Sequence, residues 1–241
     1  MAPIWLDRLA ARDEFPAVAP GMPFTAIGDV HGCAELLAAG LQKAGKGPVI
    51  CVGDLVDRGE HSADVLRMLC VRPEIICLSG NHEEMMLRFI EAPEKYGAWW
   101  LRNGGLQTLH SFGVAGVDAT SGADTWKKAR DHLIRAMGDP LVNWMKSLPT
   151  RWQSGNIAVV HAGADPALPI EKQTTKTLHW GHPKFLRKRR RDGIWVLHGH
   201  TIVDAPYAEE GRIAIDTGAY ATGRLTLARV ENAEVVFETV G

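Results

Sequence analysis

Asp29 and His31 stand two residues apart in the string Gly28-Asp29-Val30-His31-Gly32. At the extended end of a strand this spacing points both side chains the same way, and a carboxylate beside an imidazole suits Mn, Fe or Zn. Four further strings share the texture: Gly53-Asp54-Leu55-Val56-Asp57-Arg58-Gly59, Gly80-Asn81-His82-Glu83, His161-Ala162-Gly163 and His198-Gly199-His200. Each follows an apolar, β-branched stretch, so oxygen and imidazole donors collect at strand ends. Together they point to a hydrolytic centre built on two divalent cations. Asp29, His31 and Asp54 would hold one ion. Asp54, its carboxylate shared, would hold the second with Asn81, His161 and His200. Two cations about 3.5–4 Å apart bring a common water towards neutral pKa and hold phosphoryl oxygens, so that hydroxide attacks phosphorus in line with the leaving group. The flanking glycines let the backbone turn sharply and leave room for ions and phosphate.

Three more residues complete the expected chemistry. His82, next to ligand Asn81, is the natural general acid for the departing alkoxide, with Asp57 to orient it. Arg58 offers a planar fork that matches two phosphate oxygens, beside Asn81 and His82 as further phosphate contacts. Each residue has a plainer alternative. Asp29 or Asp54 taken singly would be a helix cap or turn residue, and His161 or His200 a core or surface histidine. His82 could itself be a metal ligand. Asp57 could orient Arg58 instead of His82, leaving Arg58 only its ion-pair partner.

The elements that must position these groups are read from periodicity. Apolar runs at Pro23–Ile27, Val49–Val52 and Ile75–Leu78 each lead to one of the first three strings. Helical spacing follows each, over Cys33–Ala44, Ser62–Val71 and Glu83–Ile90. This alternation predicts βαβ units and a largely parallel sheet covered on both faces, with ligands at the carboxyl ends of the strands. From Ala92 to Thr150 the spacing changes to a helical insertion with helices over Asp124–Met137 and Pro140–Leu148. Its tryptophans Trp99, Trp100, Trp126 and Trp144 are expected to pack against the sheet, or else to line a substrate groove. Short strands at Ile157–Val160, Trp195–Leu197, Arg212–Ile215, Leu225–Val230 and Val235–Val240 predict a second sheet.

Bulk properties narrow the classes. The chain has 241 residues and 46% hydrophobic content, enough for one substantial core, and a net charge of −1 offers no general field for nucleic acid or an anionic membrane. Nucleic acid and membrane are therefore not expected partners, and oligomeric state is not legible. The four cysteines, Cys33, Cys51, Cys70 and Cys77, lack CxxC spacing and read as buried thiols of a reducing compartment. The charged first segment, Met1–Phe24, has no apolar run of signal length, so a cytoplasmic protein is expected.

The strings GDVHG, GDLVDRG, GNHE, HAG and HGHT span Gly28–Thr201 and resemble the signature of the phosphoprotein phosphatase branch of the calcineurin-like metallophosphoesterases. The DRG ending is the more specific element. The resemblance implies an α/β fold, a sandwich of two mixed sheets flanked by helices. It implies one domain over 1–241, with a small helical cap inserted at about 92–150. It implies the same ligand sets named above and two divalent ions, Mn first, with Fe or Zn also used in the family. The length and the ending Asp216-Thr217-Gly218-Ala219-Tyr220 are similar to bacterial and phage serine/threonine phosphatases. One position departs. Where such phosphatases carry a tryptophan, an apolar residue and a phosphate-gripping arginine, this chain has Trp180-Gly181-His182. A weaker grip on phosphate is expected, unless His182, Lys184 or the basic run Arg187–Arg191 replaces the missing cation; that run reads first as a solvated face, and otherwise as a patch for phosphate, an acidic substrate or nucleic acid.

The leading functional expectation is a metal-dependent phosphomonoesterase, most simply a serine/threonine or dual-specificity protein phosphatase acting on a phosphoprotein or a small phosphorylated substrate. A nucleotide hydrolase like the diadenosine tetraphosphatases is the alternative within the fold. A non-catalytic scaffold is the alternative outside it, against which the intact Asp54, Asn81 and His82 argue.

Overall fold

The computed structural model describes residues 15–231 and 233–241. The charged segment over residues 1–14 thus lies outside the described residues.

Among the described residues ten strands form two five-stranded sheets. The first takes the order β10 (Glu234–Val240), β9 (Leu225–Glu231), β1 (Phe24–Ile27), β2 (Val49–Cys51), β3 (Ile75–Cys77). The second runs β4 (Arg151–Ser154), β5 (Ile157–Val160), β6 (Trp195–His198), β8 (Arg212–Ala214), β7 (Tyr207–Glu209). Both are mixed. β1, β2 and β3 are parallel, as are β5, β6 and β8, and β9, β10, β4 and β7 pair antiparallel. The sequence reading places β9 and β10 in the second sheet. The structure corrects this: β9 lies antiparallel to β1, with Ala26 opposite Ala228, and β10 returns alongside it.

Alternation along the strands explains the layering. Phe24 and Ala26 of β1, Ile50 of β2 and the following Val52 face Ile157, Val159, Leu197 and Ile213 between the sheets. Ile27 and Cys51, on the opposite face, meet the helices α1 (Ala34–Lys43), α2 (Ser62–Cys70) and α3 (Asn81–Glu91). Period-two burial on both faces is what a strand covered on two sides requires. The cysteines are free thiols, with Cys51 opposite Cys77 across β2 and β3.

The insertion contains α4 (Pro93–Trp100), a kinked turn over Leu101–Gly105, α5 (Leu106–Ser111), α6 (Ala123–Met137) and α7 (Asp139–Lys146). Its buried residues, among them Trp100, Leu109, Leu133 and Met145, share one apolar cluster with Leu37, Leu66 and Met86. The insertion therefore extends the helical layer, and its tryptophans pack on helices more than on the sheet. Two short helices remain, α8 (Thr175–Trp180) and α9 (Ala219–Thr222). Among the described residues no helix is long and apolar enough to cross a membrane.

Register then fixes the site. Ile27, Cys51 and Cys77 lie level across the three parallel strands, so Asp29, Asp54 and Asn81 emerge at one edge. Val159 and Leu197 are level in the second sheet, and His161 and His200 leave at its matching edge. The hydrogen bond from His200 N to Asp29 Oδ2 (2.9 Å) ties the two edges together.

Candidate metal centre

All six expected ligands meet where the two sheet edges converge. Asp54 stands between the two histidine groups: its Oδ2 lies 3.5 Å from His31 Nε2, and its Oδ1 lies 3.3 Å from His161 Nε2. Asn81, the first residue of α3, places Oδ1 2.8 Å from His161 Nε2 and 2.9 Å from His200 Nδ1. The ligand atoms of Asp54, His161 and His200 lie within 4.8 Å of one another, as do those of His31, Asp54 and His82.

The donor chemistry fits cations. His31 donates Nδ1–H to the Val56 carbonyl (2.8 Å), and His161 donates Nδ1–H to the Val52 carbonyl (3.2 Å). Each bond fixes the tautomer, so the Nε2 lone pair of both rings faces carboxylate or amide oxygen. Acceptors gathered at such distances repel unless a positive charge lies among them. Asp29 Oδ1, buried, has no hydrogen-bond partner. Burial, and after it Asp216 and Asp54, push Asp29 well above the usual carboxylate range. Burial raises Asp54 to about 7 against the opposing pull of His82. Burial lowers His31 and His161 well below the ordinary imidazole value and His200 to about 4. Neutral imidazoles and desolvated carboxylates in one cavity are the complement of divalent metal.

Backbone conformation is as specific as the side chains. His31, Asp54, Asp57, Arg58 and His200 all have left-handed φ, from 43° to 73°. Each such conformation costs about 1–3 kcal/mol and persists only where the surroundings over-determine it. Glu83 is one of those constraints. Its buried carboxylate accepts from the backbone N–H of Asp54 (2.9 Å), Gly80 (2.8 Å) and Leu55 (2.7 Å), lashing the β2 and β3 loops together. Glycine is required where these loops approach: a Cβ on Gly199 would collide with Asp29 Oδ1, and one on Gly80 with Asp54 Oδ1.

Beside the ligands, His82 donates Nδ1–H to Asp57 Oδ2 at 2.7 Å, and His82 Nε2 lies 3.8 Å from Asp54 Oδ2. Burial pulls the His82 pKa down, but Asp54 and the bond to Asp57 outweigh it and the net shift is upward. Asp57 is held from the insertion. Trp100 Nε1 donates to its Oδ2 (2.9 Å), and Thr108 Oγ1 donates to its Oδ1 (2.6 Å). Geometry thus pairs Asp57 with His82. Arg58 makes no ion pair with Asp57 among the described residues; its guanidinium lies over Tyr220, 4.8 Å from the ring centre.

Arg58 opens into a groove of about 340 Å³ lined also by Arg102, Asn103, Gln107 and Tyr220. A second groove, about 320 Å³, is lined by Trp180, Gly181, His182, Leu186, His200 and Thr201. His182 therefore reaches the site's margin. Lys184 and the run Arg187–Arg191 line neither groove, and Arg190 is a buried anchor paired with Asp192.

Several functional groups escaped the sequence reading. Glu83 closes the GNHE string but works on the backbone of another loop. Trp100 and Thr108 lie 43 and 51 residues from Asp57. Arg102 sits in the kink beside Gly104, whose left-handed φ of 104° lets its carbonyl accept from Arg58 N. Asp216, buried against Asp29, was read only as part of a resemblance.

Residues 22–214 match the family described as calcineurin-like phosphoesterase. The chain is 28% identical over 217 residues to serine/threonine-protein phosphatase 2 of Salmonella typhimurium, covering 85% of this chain and 91% of that one. It is 27% identical over 246 residues to the asymmetrical bis(5'-nucleosyl)-tetraphosphatase PrpE of Bacillus velezensis, covering 89% and 92%. In fold alone it is similar to the solved cold-active protein-tyrosine phosphatase of a psychrophilic Shewanella species, at TM-score 0.55 and 16% identity over 91% of this chain and 80% of that one. The chain belongs to the calcineurin-like phosphoesterases and is a metal-dependent phosphoric ester hydrolase.

Proposed function

We propose that this hydrolase is a phosphomonoesterase whose physiological substrates are phosphoserine and phosphothreonine residues of proteins. The hydrogen-bonded pair of His82 and Asp57 beside the ligand cluster carries this reading. A serine or threonine alkoxide is a far stronger base than a phosphate leaving group, so its departure gains most from a positioned acid.

Asp29, His31 and Asp54 would hold one divalent ion, and Asp54, Asn81, His161 and His200 the other. When bound, the two ions would supply Lewis acidity towards the phosphoryl oxygens and an ionised water as nucleophile. Manganese is the proposed metal. His82, its Nδ1–H committed to Asp57, keeps its transferable proton at Nε2, facing the cluster. Trp100 and Thr108 saturate the rest of the Asp57 carboxylate and hold the pair in one orientation. Arg58, propped on Tyr220, presents two donors to phosphate, and Arg102 adds a second cation in the same groove.

Hydrolysis of a nucleotide such as a dinucleoside polyphosphate is the second reading, favoured by one observation. Trp99 stacks on Trp180 at 5.8 Å and 24°, both rings partly exposed, and Trp180 shares with His200 the lining of one groove. A base could stack there. One metal-loaded preparation assayed on phosphothreonine peptides, p-nitrophenyl phosphate and dinucleoside tetraphosphate separates the two. The expected order places phosphopeptides highest in kcat/KM. Turnover of the tetraphosphate alone would replace the protein phosphatase reading with the nucleotide one.

A further inference from the structure

From His182 to Asp192 the chain forms a fixed basic turn on the rim of the groove shared by Trp180 and His200. Phe185, Arg187 and Lys188 donate backbone N–H bonds to the carbonyls of His182 or Lys184 within this turn. Phe185 is buried against His198, its ring centre 4.9 Å away. Arg190, 5% exposed, pairs with Asp192 and donates to the carbonyls of Asp165 (3.0 Å) and Leu168 (2.9 Å). With these two residues anchored inward, Lys184, Arg187, Lys188 and Arg191 are all exposed. None of the four lies in an ion pair among the described residues. The nearby carboxylates are otherwise engaged: Asp192 with Arg190, Asp165 beside His182, Glu210 with Arg212. Pro183, Phe185 and Leu186, from the same turn, line the groove that His200 also lines.

Four uncompensated cations on a pinned turn, in a chain of net charge −1, make a local positive field at the mouth of the reaction site. We infer that this turn reads acidic residues flanking the phosphorylated serine or threonine of a protein substrate. The inference rests on the protein phosphatase reading and adds its sequence preference. The turn acts on the peptide outside the hydrolysed group, so it affects capture and leaves the chemical step alone.

Two synthetic phosphothreonine peptides test it, one flanked by glutamates and one by glutamines, with p-nitrophenyl phosphate as the small-substrate control. The wild type should prefer the glutamate peptide, and the preference should shrink as salt rises. The combined variant Arg187→Ser, Lys188→Ser, Arg191→Ser should raise KM for the glutamate peptide about tenfold with kcat unchanged, and leave the other two substrates within about twofold. Arg187→Glu alone, a surface change that spares the anchors, should weaken the glutamate peptide in the same direction. Equal KM for both peptides in wild type and variants overturns the acidic preference while leaving the phosphatase reading intact. Failure of the wild type to hydrolyse either peptide, with dinucleoside tetraphosphate turned over, removes both.

Discussion

The floor of the site and its rim are built on opposite principles. On the floor, Asp54, Asp57, Asn81, His82 and His161 are at most 4% exposed; Trp100 and Thr108 hold the Asp57 carboxylate, Glu83 holds the Asp54 backbone, and the Val52 carbonyl holds the His161 ring. On the rim, Arg58 and Arg102 line an open groove, Trp99 and Trp180 keep exposed faces, and Lys184, Arg187, Lys188 and Arg191 form no ion pair among the described residues. A buried polar network with a missing member leaves unsatisfied charge, so the floor tolerates little change. The rim can vary without touching stability. The difference teaches that the floor is fixed by desolvation and mutual contact, whereas the rim offers exposed groups that can change without disturbing it.

The sharpest way to break this comparison is at His82. His82→Asn should cut kcat for a phosphothreonine peptide by about 10²–10⁴-fold, and less for p-nitrophenyl phosphate, whose leaving group needs no acid. Metal content should stay at two equivalents; loss of one would make His82 a ligand, as its closeness to His31 and Asp54 allows. Next comes Arg58→Ala, expected to lower kcat/KM about 10- to 100-fold for every phosphate substrate, measured by steady-state kinetics. Unchanged kinetics would sink the phosphate role of Arg58.

Trp100→Phe removes one donor from Asp57 while keeping most of the ring's volume in the core. It should lower kcat about tenfold and stability by about 1–2 kcal/mol, read from denaturant melts alongside peptide turnover. A change in stability with kcat intact would show that the insertion packs the floor but does not tune it. The smallest effect is expected at the rim. Trp180→Ala should leave phosphopeptide turnover within about twofold; a drop of about tenfold confined to dinucleoside tetraphosphate would mark base stacking there.

The same division explains what was legible in the sequence. β1, β2 and β3 could be read because short apolar runs, Val- and Ile-rich in β2 and β3, end abruptly at Gly-Asp or Gly-Asn. β4 and β7 could not: Arg-Trp-Gln-Ser and Tyr-Ala-Glu are half-exposed edge strands whose pairing comes from their neighbours. The placement of β9 beside β1 is a long-range pairing between residues some two hundred positions apart, which local spacing does not encode. In the site, the six expected ligands announced themselves by residue type, five directly beside a glycine and His161 two residues before Gly163. Glu83 and Trp100 did not, since a buried glutamate that binds backbone and a tryptophan that binds a carboxylate look like an ordinary helix residue and an ordinary core residue until the fold is known.

The central claim is that Asp54 lies between two metal ions held by groups from both sheets. Metal analysis by mass spectrometry of chelator-stripped protein reloaded with manganese tests it most directly. Two equivalents per chain are expected in the wild type and one in His200→Ala. A wild type that saturates at a single equivalent would contradict the account.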